Sequence, residues 1–284
     1  MTTFGIVGAG KVGWTLARLL HRRGAVISAV ASRSFSNAQA LAAEVSAQAL
    51  PDALAVIRQV DLTLVCVPDD VLQQLAEGLP EADLRGRSVV HTSGVHDAAI
   101  LRPLAEMGAL TGGLHPAFPF ADPETAADAI AGAVFAIEAE SAALRAELEA
   151  LVRLIGGQPM VIAPGGKTLY HAALVIASNY TVVLYAIAER LLSEAGADID
   201  RAAALLNRLL SGTVFNLREI GIPAALTGPL TREDAETIQR HLTALRAVDP
   251  SVAEVYSALA RQAFPLLLAR GIDTERVERA LNAQ

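Results

Sequence analysis

The chain has 284 residues, 52% of them hydrophobic, and sets 23 lysines and arginines against 30 aspartates and glutamates, a net charge of −7. That length accommodates two domains with a core each, and the acidic balance argues against a nucleic-acid partner. The single cysteine, Cys66, excludes a disulfide framework and a cysteine metal site, and suits a reducing, cytoplasmic setting.

The first residues, Thr3 to Val7, enter an apolar strand pattern at once, so no signal peptide is expected. Gly8-Ala9-Gly10-Lys11-Val12-Gly13 follows, and Leu16, Ala17, Leu19 and Leu20 then fall at helical spacing. Strand, glycine turn and helix in that order form a dinucleotide-binding fingerprint. Gly8 permits the tight turn, Gly10 leaves room for a pyrophosphate, and Gly13 lets helix and strand pack closely. The N–H groups of Lys11, Val12 and Gly13 open the helix toward an anion.

A second strand, Ala25 to Val30, ends in Ala31-Ser32-Arg33-Ser34. A carboxylate that binds the ribose hydroxyls of NAD is missing at this strand end. Arg33 can pair with a 2′-phosphate, and Ser32 and Ser34 can donate to it, so the pattern predicts NADP(H). The alternative is a solvated loop charge at Arg33.

A helix is expected from Ala38 to Gln48, then a continuous apolar strand from Asp61 to Val67. Pro68-Asp69-Asp70 starts the next helix, Val71 to Leu79. Ser88 to Thr92 reads as a strand ending in Ser93-Gly94, with a helix from Ala98 to Met107. Ala109 to Leu114, Gly132 to Ile137 and Pro159 to Ile162 are weaker strands, and Ser141 to Ile155 is helical. The alternation predicts an α/β domain over residues 1–163 with a doubly wound, mainly parallel sheet. Its ligand crevice lies at the strands' carboxyl ends, where Gly8, Ser32, Pro68 and Ser93 fall.

Pro164-Gly165-Gly166 marks the expected boundary with an all-helical domain over residues 164–284. Thr168 to Ala195 reads as one long apolar helix stopped by Gly196. Its stretch from Ala172 to Ala188 is interrupted by Ser178, Asn179, Tyr180 and Thr181, and is short for a membrane span, so a buried helix in a helical domain or dimer core is expected. Asp200 to Ser211, Val214 to Ile220 and Ser251 to Ala269 are further helices, and Thr231 is expected to cap another with Asp234 answering it.

Polar residues in apolar surroundings mark candidate chemistry. Ser93 is either a contact near the nicotinamide or a helix cap. His115, before Pro116, is either a proton donor or a histidine satisfied in a turn. Lys167, His171 and Ser178 share one stripe at 100° per residue, with Asn179 at its edge. Polar groups buried there without partners would each cost about 1–3 kcal/mol. They are either substrate groups or an exposed first turn with a satisfied core pair. Thr227 to Arg232 is either an anion seat or a plain connection. No zinc-site spacing and no GxSxG elbow is present.

The glycine loop, His91-Thr92-Ser93-Gly94, Leu114-His115-Pro116, Tyr170-His171-Ala172-Ala173 with Ser178-Asn179-Tyr180, and Leu226-Thr227-Gly228-Pro229 occur in this order. Together they resemble the Rossmann-like proteins that carry a DUF2520 C-terminal domain, over nearly the whole chain. That group is similar to pyrroline-5-carboxylate reductases, F420-dependent NADP oxidoreductases and 6-phosphogluconate or β-hydroxyacid dehydrogenases, and some members are associated with ketopantoate reduction. The resemblance implies an NADP domain, a helical domain and a homodimer through the helices. One departure concerns the lysine that β-hydroxyacid dehydrogenases place shortly after a glycine pair, with Asn one turn on. Here Lys167 comes too early, Tyr170 and His171 stand near the expected place, and Val175 follows where Asn belongs.

The expectation is an NADPH-dependent reductase of a small carbonyl substrate, a 2-oxo acid. His171 is the leading general acid, Asn179 and Ser178 orient the substrate, and His115 and Ser93 complete the pocket. Alternatives are imine reduction of the pyrroline-5-carboxylate type and a non-catalytic NADP-binding protein.

Overall fold

The computed structural model describes residues 2–118, 120, 128 and 130–283. Eight strands form one sheet in the order β3-β2-β1-β4-β5-β6-β7-β8. They are β1 (Thr3–Val7), β2 (Val26–Ala31), β3 (Gln48–Ala49), β4 (Leu62–Val65), β5 (Ser88–His91), β6 (Leu110–Pro116), β7 (Val134–Ala139) and β8 (Gln158–Val161). All pairings are parallel except β6 with β7, where Leu114 lies opposite Ile137 and His115 opposite Ala136.

Successive strand residues feed opposite faces. Ile6, Leu64, Val90 and Leu114 enter one buried cluster. Val7, Val65 and Val89 enter another across the sheet. Burial on both faces explains why these strands read as unbroken apolar runs rather than alternating ones. Helices α1 (Lys11–Arg22), α2 (Phe35–Glu44), α3 (Ala53–Gln59), α4 (Asp69–Gly78), α5 (Arg102–Glu106) and α6 (Ala142–Leu154) connect the strands. The order reverses between β1 and β4, which is where doubly wound sheets open a crevice at their carboxyl ends.

Helix α3 and strand β3 are not among the sequence expectations. Helix α2 also begins earlier than expected, at Phe35, because Ser34 caps it by accepting from the Asn37 amide. Asp52 likewise caps α3, accepting from Ala55 N–H at 2.8 Å. His115 lies inside β6 rather than after it.

Two compact units divide between Ala177 and Ser178. The first contains the sheet and also α7 (Lys167–Leu174), which the sequence expectation places in a helical domain starting at residue 164. Lys167 is fully buried in that first unit, so the first turn of α7 is anchored at the sheet.

The second unit is helical: α8 (Tyr180–Glu194), α9 (Ile199–Ile220), α10 (Ala235–Val248), α11 (Pro250–Gln262), α12 (Phe264–Leu268) and α13 (Glu275–Asn282). Its core is built by Ile238, Leu242, Ala253, Ala260, Val277 and Leu281. Three expectations change here. The two helices expected between Asp200 and Ile220 are one: the hydroxyls of Ser211 and Thr213 bond back to the carbonyls of Asn207 and Leu209 and cap no new start. The cap of α10 is Asp234, which accepts from Thr237 N–H at 3.1 Å, while Thr231 sits in a 3₁₀ turn and donates to the Gly228 carbonyl. Pro265 starts α12 afresh, dividing the helix expected from Ser251 to Ala269.

The backbone stays helical from Lys167 to Glu194, 28 residues that are long and apolar enough to cross a membrane by length and composition. The expected burial of this segment does not occur within the single chain: Val182 is 69% and Val183 53% exposed. Helix α9 likewise exposes Leu209, Val214 and Phe215. Helices α8, α10 and α11 also frame an apolar groove of about 520 Å³ lined by Leu184, Leu191, Leu245, Val252 and Leu259.

Candidate active site

At the end of β1, Gly8 turns with φ +105°, and a Cβ there would lie 2.4 Å from the Cys66 carbonyl oxygen. A Cβ on Gly13 would lie 2.0 Å from the Gly8 carbonyl oxygen. Both clashes are with backbone, so strand and helix approach this closely only with glycine at these positions. Gly10 is different: nothing stands within 4 Å of where its Cβ would be. It is also the N-cap of α1 and offers no side chain to cap it. An open backbone at an uncapped helix start, with its positive dipole end, has the form of a phosphate cradle. Lys11 is exposed at the first position of α1, Val12 half-buried and Gly13 buried.

At the end of β2, Ser32 is half-buried and Arg33 exposed. Ser34 has a structural task, since its hydroxyl caps α2 and meets Ser36 Oγ at 2.8 Å. Pro68 is the exposed N-cap of α4, with its carbonyl accepting from Leu72 N–H. These positions and Ser93 stand at the carboxyl ends of β1, β2, β4 and β5, as expected.

The second part of the site surrounds the turn after β5. Ser93 is buried, and every polar group it has is engaged. Its amide donates to His91 Nδ1 at 3.1 Å, its hydroxyl accepts from the amides of Val95 and His96, and its carbonyl accepts from Lys167 Nζ at 2.8 Å. Ser93 is not a helix cap: its hydroxyl closes the turn over Val95 and His96, and the next helical turn, Ala98–Leu101, is preceded by Asp97. Gly94 comes next, and a Cβ there would lie 2.8 Å from His115 Nε2 and 2.9 Å from His171 Cδ2. Two imidazoles thus rest over a residue that has no room for a side chain.

Tyr170 completes the cluster. Its Oη lies 2.9 Å from His115 Nδ1, and the two rings meet edge to face. His115 and His171 are also edge to face, with centroids 6.4 Å apart. Burial, then the Lys167 and His171 charges, lower the His115 pKa to about 4, partly opposed by Asp69. Burial raises the Tyr170 phenol to about 12. Both members of the pair are therefore uncharged near neutral pH. Beneath them His91 is fully buried, and burial followed by the Lys167 ammonium lowers it to about 3.

The polar stripe expected on this helix divides at the π turn. Lys167 and His171 belong to the first unit, but Lys167 points inward to Ser93 instead of lying in an exposed turn. Ser178 and Asn179 sit at the end of a π-helical turn, Val175–Asn179, and are exposed. A π turn advances each residue by less than 100°, so the spacing that aligned Ser178 with His171 does not hold through it. The sequence does not reveal the role of Tyr170. Its place one residue before His171 is visible there, but its pairing with a strand residue 55 positions away is not. Among the described residues no group of three or more His, Cys, Asp or Glu side chains is placed to hold a metal.

These features define a dinucleotide-fold protein with a helical C-terminal unit, and comparison with known families agrees. Residues 2–116 match the Rossmann-like domain. Residues 133–263 match the domain of unknown function DUF2520. The chain thus carries a Rossmann-like domain followed by a DUF2520 domain. No curated protein matches. Among solved structures, an NADP oxidoreductase, so named by inference, from Bacteroides fragilis is 28% identical, with 92% of this chain and 97% of that chain covered and a TM-score of 0.69. A protein from Thermotoga maritima is 25% identical over 91% of this chain and 97% of its own, with a TM-score of 0.73. A reductive aminase from Aspergillus terreus, in complex with NADPH and ethyl-5-oxohexanoate, shares the fold at 21% identity, 93% coverage of each chain and a TM-score of 0.68.

Proposed function

We propose that the protein is an NADPH-dependent oxidoreductase that reduces the carbonyl group of a small substrate, with 2-oxo acids as the substrate class. The glycine loop from Gly8 to Gly13 seats the pyrophosphate, Arg33 pairs with the 2′-phosphate beside Ser32, and Ser34 shapes that loop as a cap. Pro68 and Ser93 border the seat at the neighbouring strand ends. NADP, once bound, supplies or accepts the hydride. The name of the Bacteroides fragilis protein and the NADPH held by the Aspergillus terreus enzyme support the cofactor assignment.

The observation that carries the reading is the hydrogen bond between His115 Nδ1 and Tyr170 Oη. A carbonyl oxygen that gains negative charge needs a proton donor in a water-poor pocket. A neutral phenol supported by a neutral imidazole meets that need. Tyr170 gives its Oη proton to the substrate oxygen while Nδ1–H of His115 bonds the phenolate oxygen that remains, and solvent restores the proton. His171, beside His115 over Gly94, takes the second place at the substrate and is the alternative donor.

A second reading, imine reduction, draws support from imine reductases of this fold. An iminium carbon is already activated, so the phenolic proton matters less to it. The two readings separate in one experiment. NADPH consumption is followed with 2-oxo acids and with cyclic imines, for wild type, Tyr170→Phe and His171→Ala. Carbonyl reduction predicts a loss of about 10²-fold or more in kcat/KM for Tyr170→Phe. An unchanged rate removes Tyr170 from the chemistry, and turnover of imines alone replaces the first reading with the second. No turnover with tight NADPH binding leaves a non-catalytic binding protein.

We further propose that the protein is a homodimer through its helical unit. Apolar side chains exposed on α8 and α9, with the apolar groove beside α10, are the kind of surface that a partner covers. A second copy of the chain is the occupant assigned to it.

A further inference from the structure

Lys167 is the one charged side chain among the largest fully buried ones, and the proposed chemistry does not use it. A buried ammonium is costly unless it is paired and hydrogen-bonded. Here its Nζ donates to the Ser93 carbonyl at 2.8 Å. A Cβ on Gly113 would lie 3.2 to 3.4 Å from His91 Cε1, His91 Nε2 and Lys167 Nζ, so the ammonium and the buried imidazole share the space above that glycine. Burial lowers the Lys167 pKa below the ordinary lysine value, and the carboxylates of Glu138, Asp97 and Asp69 oppose that pull. Glu138 is itself buried and fixed by the Ala98 amide at 2.9 Å.

We propose that Lys167 is a positioning residue: its ammonium grips the Ser93 carbonyl and so fixes Gly94 against the rings of His115 and His171. The strand side of the turn is held by His91 Nδ1 and the loop side by the amides of Val95 and His96. The ammonium is the third hold, and the one that ties β5 to α7. Gly94 has no room for a side chain, because a Cβ there would lie 2.8 to 3.0 Å from the two rings. A turn that drifts therefore displaces the donor pair. The same charge disfavours protonation of His115, whose other charged and titratable neighbours are His171 and Asp69, with Tyr170 at its Nδ1. This inference rests on the proposed function only for what the rings do; the clamp itself is independent of it.

The test uses the full chain without cofactor. In wild type, the Lys167 ammonium protons should be protected from solvent in nitrogen-15 NMR near neutral pH. In Lys167→Met, the amides of Ser93, Val95 and His96 should exchange about tenfold faster or more, and the titration midpoint of His115 should rise by about one unit. Lys167→Gln, which keeps a donor but no charge, should restore part of the amide protection while leaving the His115 midpoint raised. With NADPH and a turned-over substrate, Lys167→Met should lower kcat at least tenfold, with the NADPH Kd within about twofold of wild type. Lysine protons that exchange as freely as those of an exposed lysine overturn the proposal without any variant. So do unchanged amide exchange and an unchanged His115 midpoint in Lys167→Met. If wild type turns over neither carbonyls nor imines, the proposed function fails while the NMR results still decide the clamp.

Discussion

His91 should make the first unit lose stability in mild acid, by an amount the structure sets. Its ring is fully buried, and burial with the nearby Lys167 ammonium lowers its pKa from 6.5 to about 3. Between those values the unfolded chain binds a proton that the folded chain refuses. The contribution is therefore complete above pH 6.5 and declines as pH falls toward 3. At pH 5 the unfolded ring has gained about 1.5 pH units of protonation free energy and the folded ring almost none. At about 1.36 kcal/mol per unit that is about 2 kcal/mol. The result depends little on the folded value, provided it stays well below 5. Urea unfolding at pH 7.5 and pH 5 measures it, read by the fluorescence of Trp14, the single tryptophan, which packs against the first unit's core. His91→Asn keeps an acceptor for the Ser93 amide but does not titrate. Subtracting its pH dependence removes the carboxylates and the other histidines. Wild type should lose about 2 kcal/mol more than the variant between the two pH values. Equal losses would refute the buried, neutral imidazole.

Arg33→Ala should weaken NADPH binding by about 10- to 100-fold, the worth of charge-assisted hydrogen bonds to a phosphate, and leave NADH binding nearly unchanged. Isothermal titration with both nucleotides checks this, and an equal loss for both removes Arg33 from the 2′-phosphate. If the proposed dimer forms through α9, Phe215→Glu on its exposed face should give a monomer in light scattering where the wild type is a dimer, with the helical circular dichroism retained, and a monomeric wild type refutes the proposal. A dimer that survives this change places the interface elsewhere.

The Rossmann-like half was legible because its signals are local. An apolar run, the glycines at 8, 10 and 13 and an uncapped helix start all lie within a few residues of one another, although the reason for Gly8, a backbone carbonyl at Cys66, is 58 residues away. The strand-end rule then placed Gly8, Ser32, Pro68 and Ser93 on one edge. Much of the rest failed where a short-range rule met a competing bond. Asp234 caps α10 alone because Thr231 turns back to Gly228. The helix expected to end at Ser211 continues, its hydroxyls at 211 and 213 bonding within it instead of marking a break. The stripe from Lys167 to Ser178 assumed a uniform α-helical advance that the π turn interrupts. Nothing in the spacing of Lys167, Tyr170 and His171 reveals that they meet Ser93 and His115, since those contacts span 55 and 74 residues.

The charges near the turn explain why the donor pair is neutral, and that neutrality fixes a pH profile. The Lys167 ammonium works against protonation of both buried imidazoles, His91 and His115. The carboxylates of Glu138 and Asp97 help to keep the ammonium charged, yet neither is among the groups that raise His115. Asp69 does both, supporting the ammonium and partly offsetting its effect on that ring. With His115 lowered to about 4 and Tyr170 raised to about 12, the pair keeps one hydrogen-bonded protonation state across the physiological range. Reduction routed through Tyr170 should therefore show a rate plateau from about pH 5 to pH 9, in contrast to the fall above about pH 6.5 that an unperturbed imidazole acid produces. A descending limb inside that range would remove the proton-donor role from the pair.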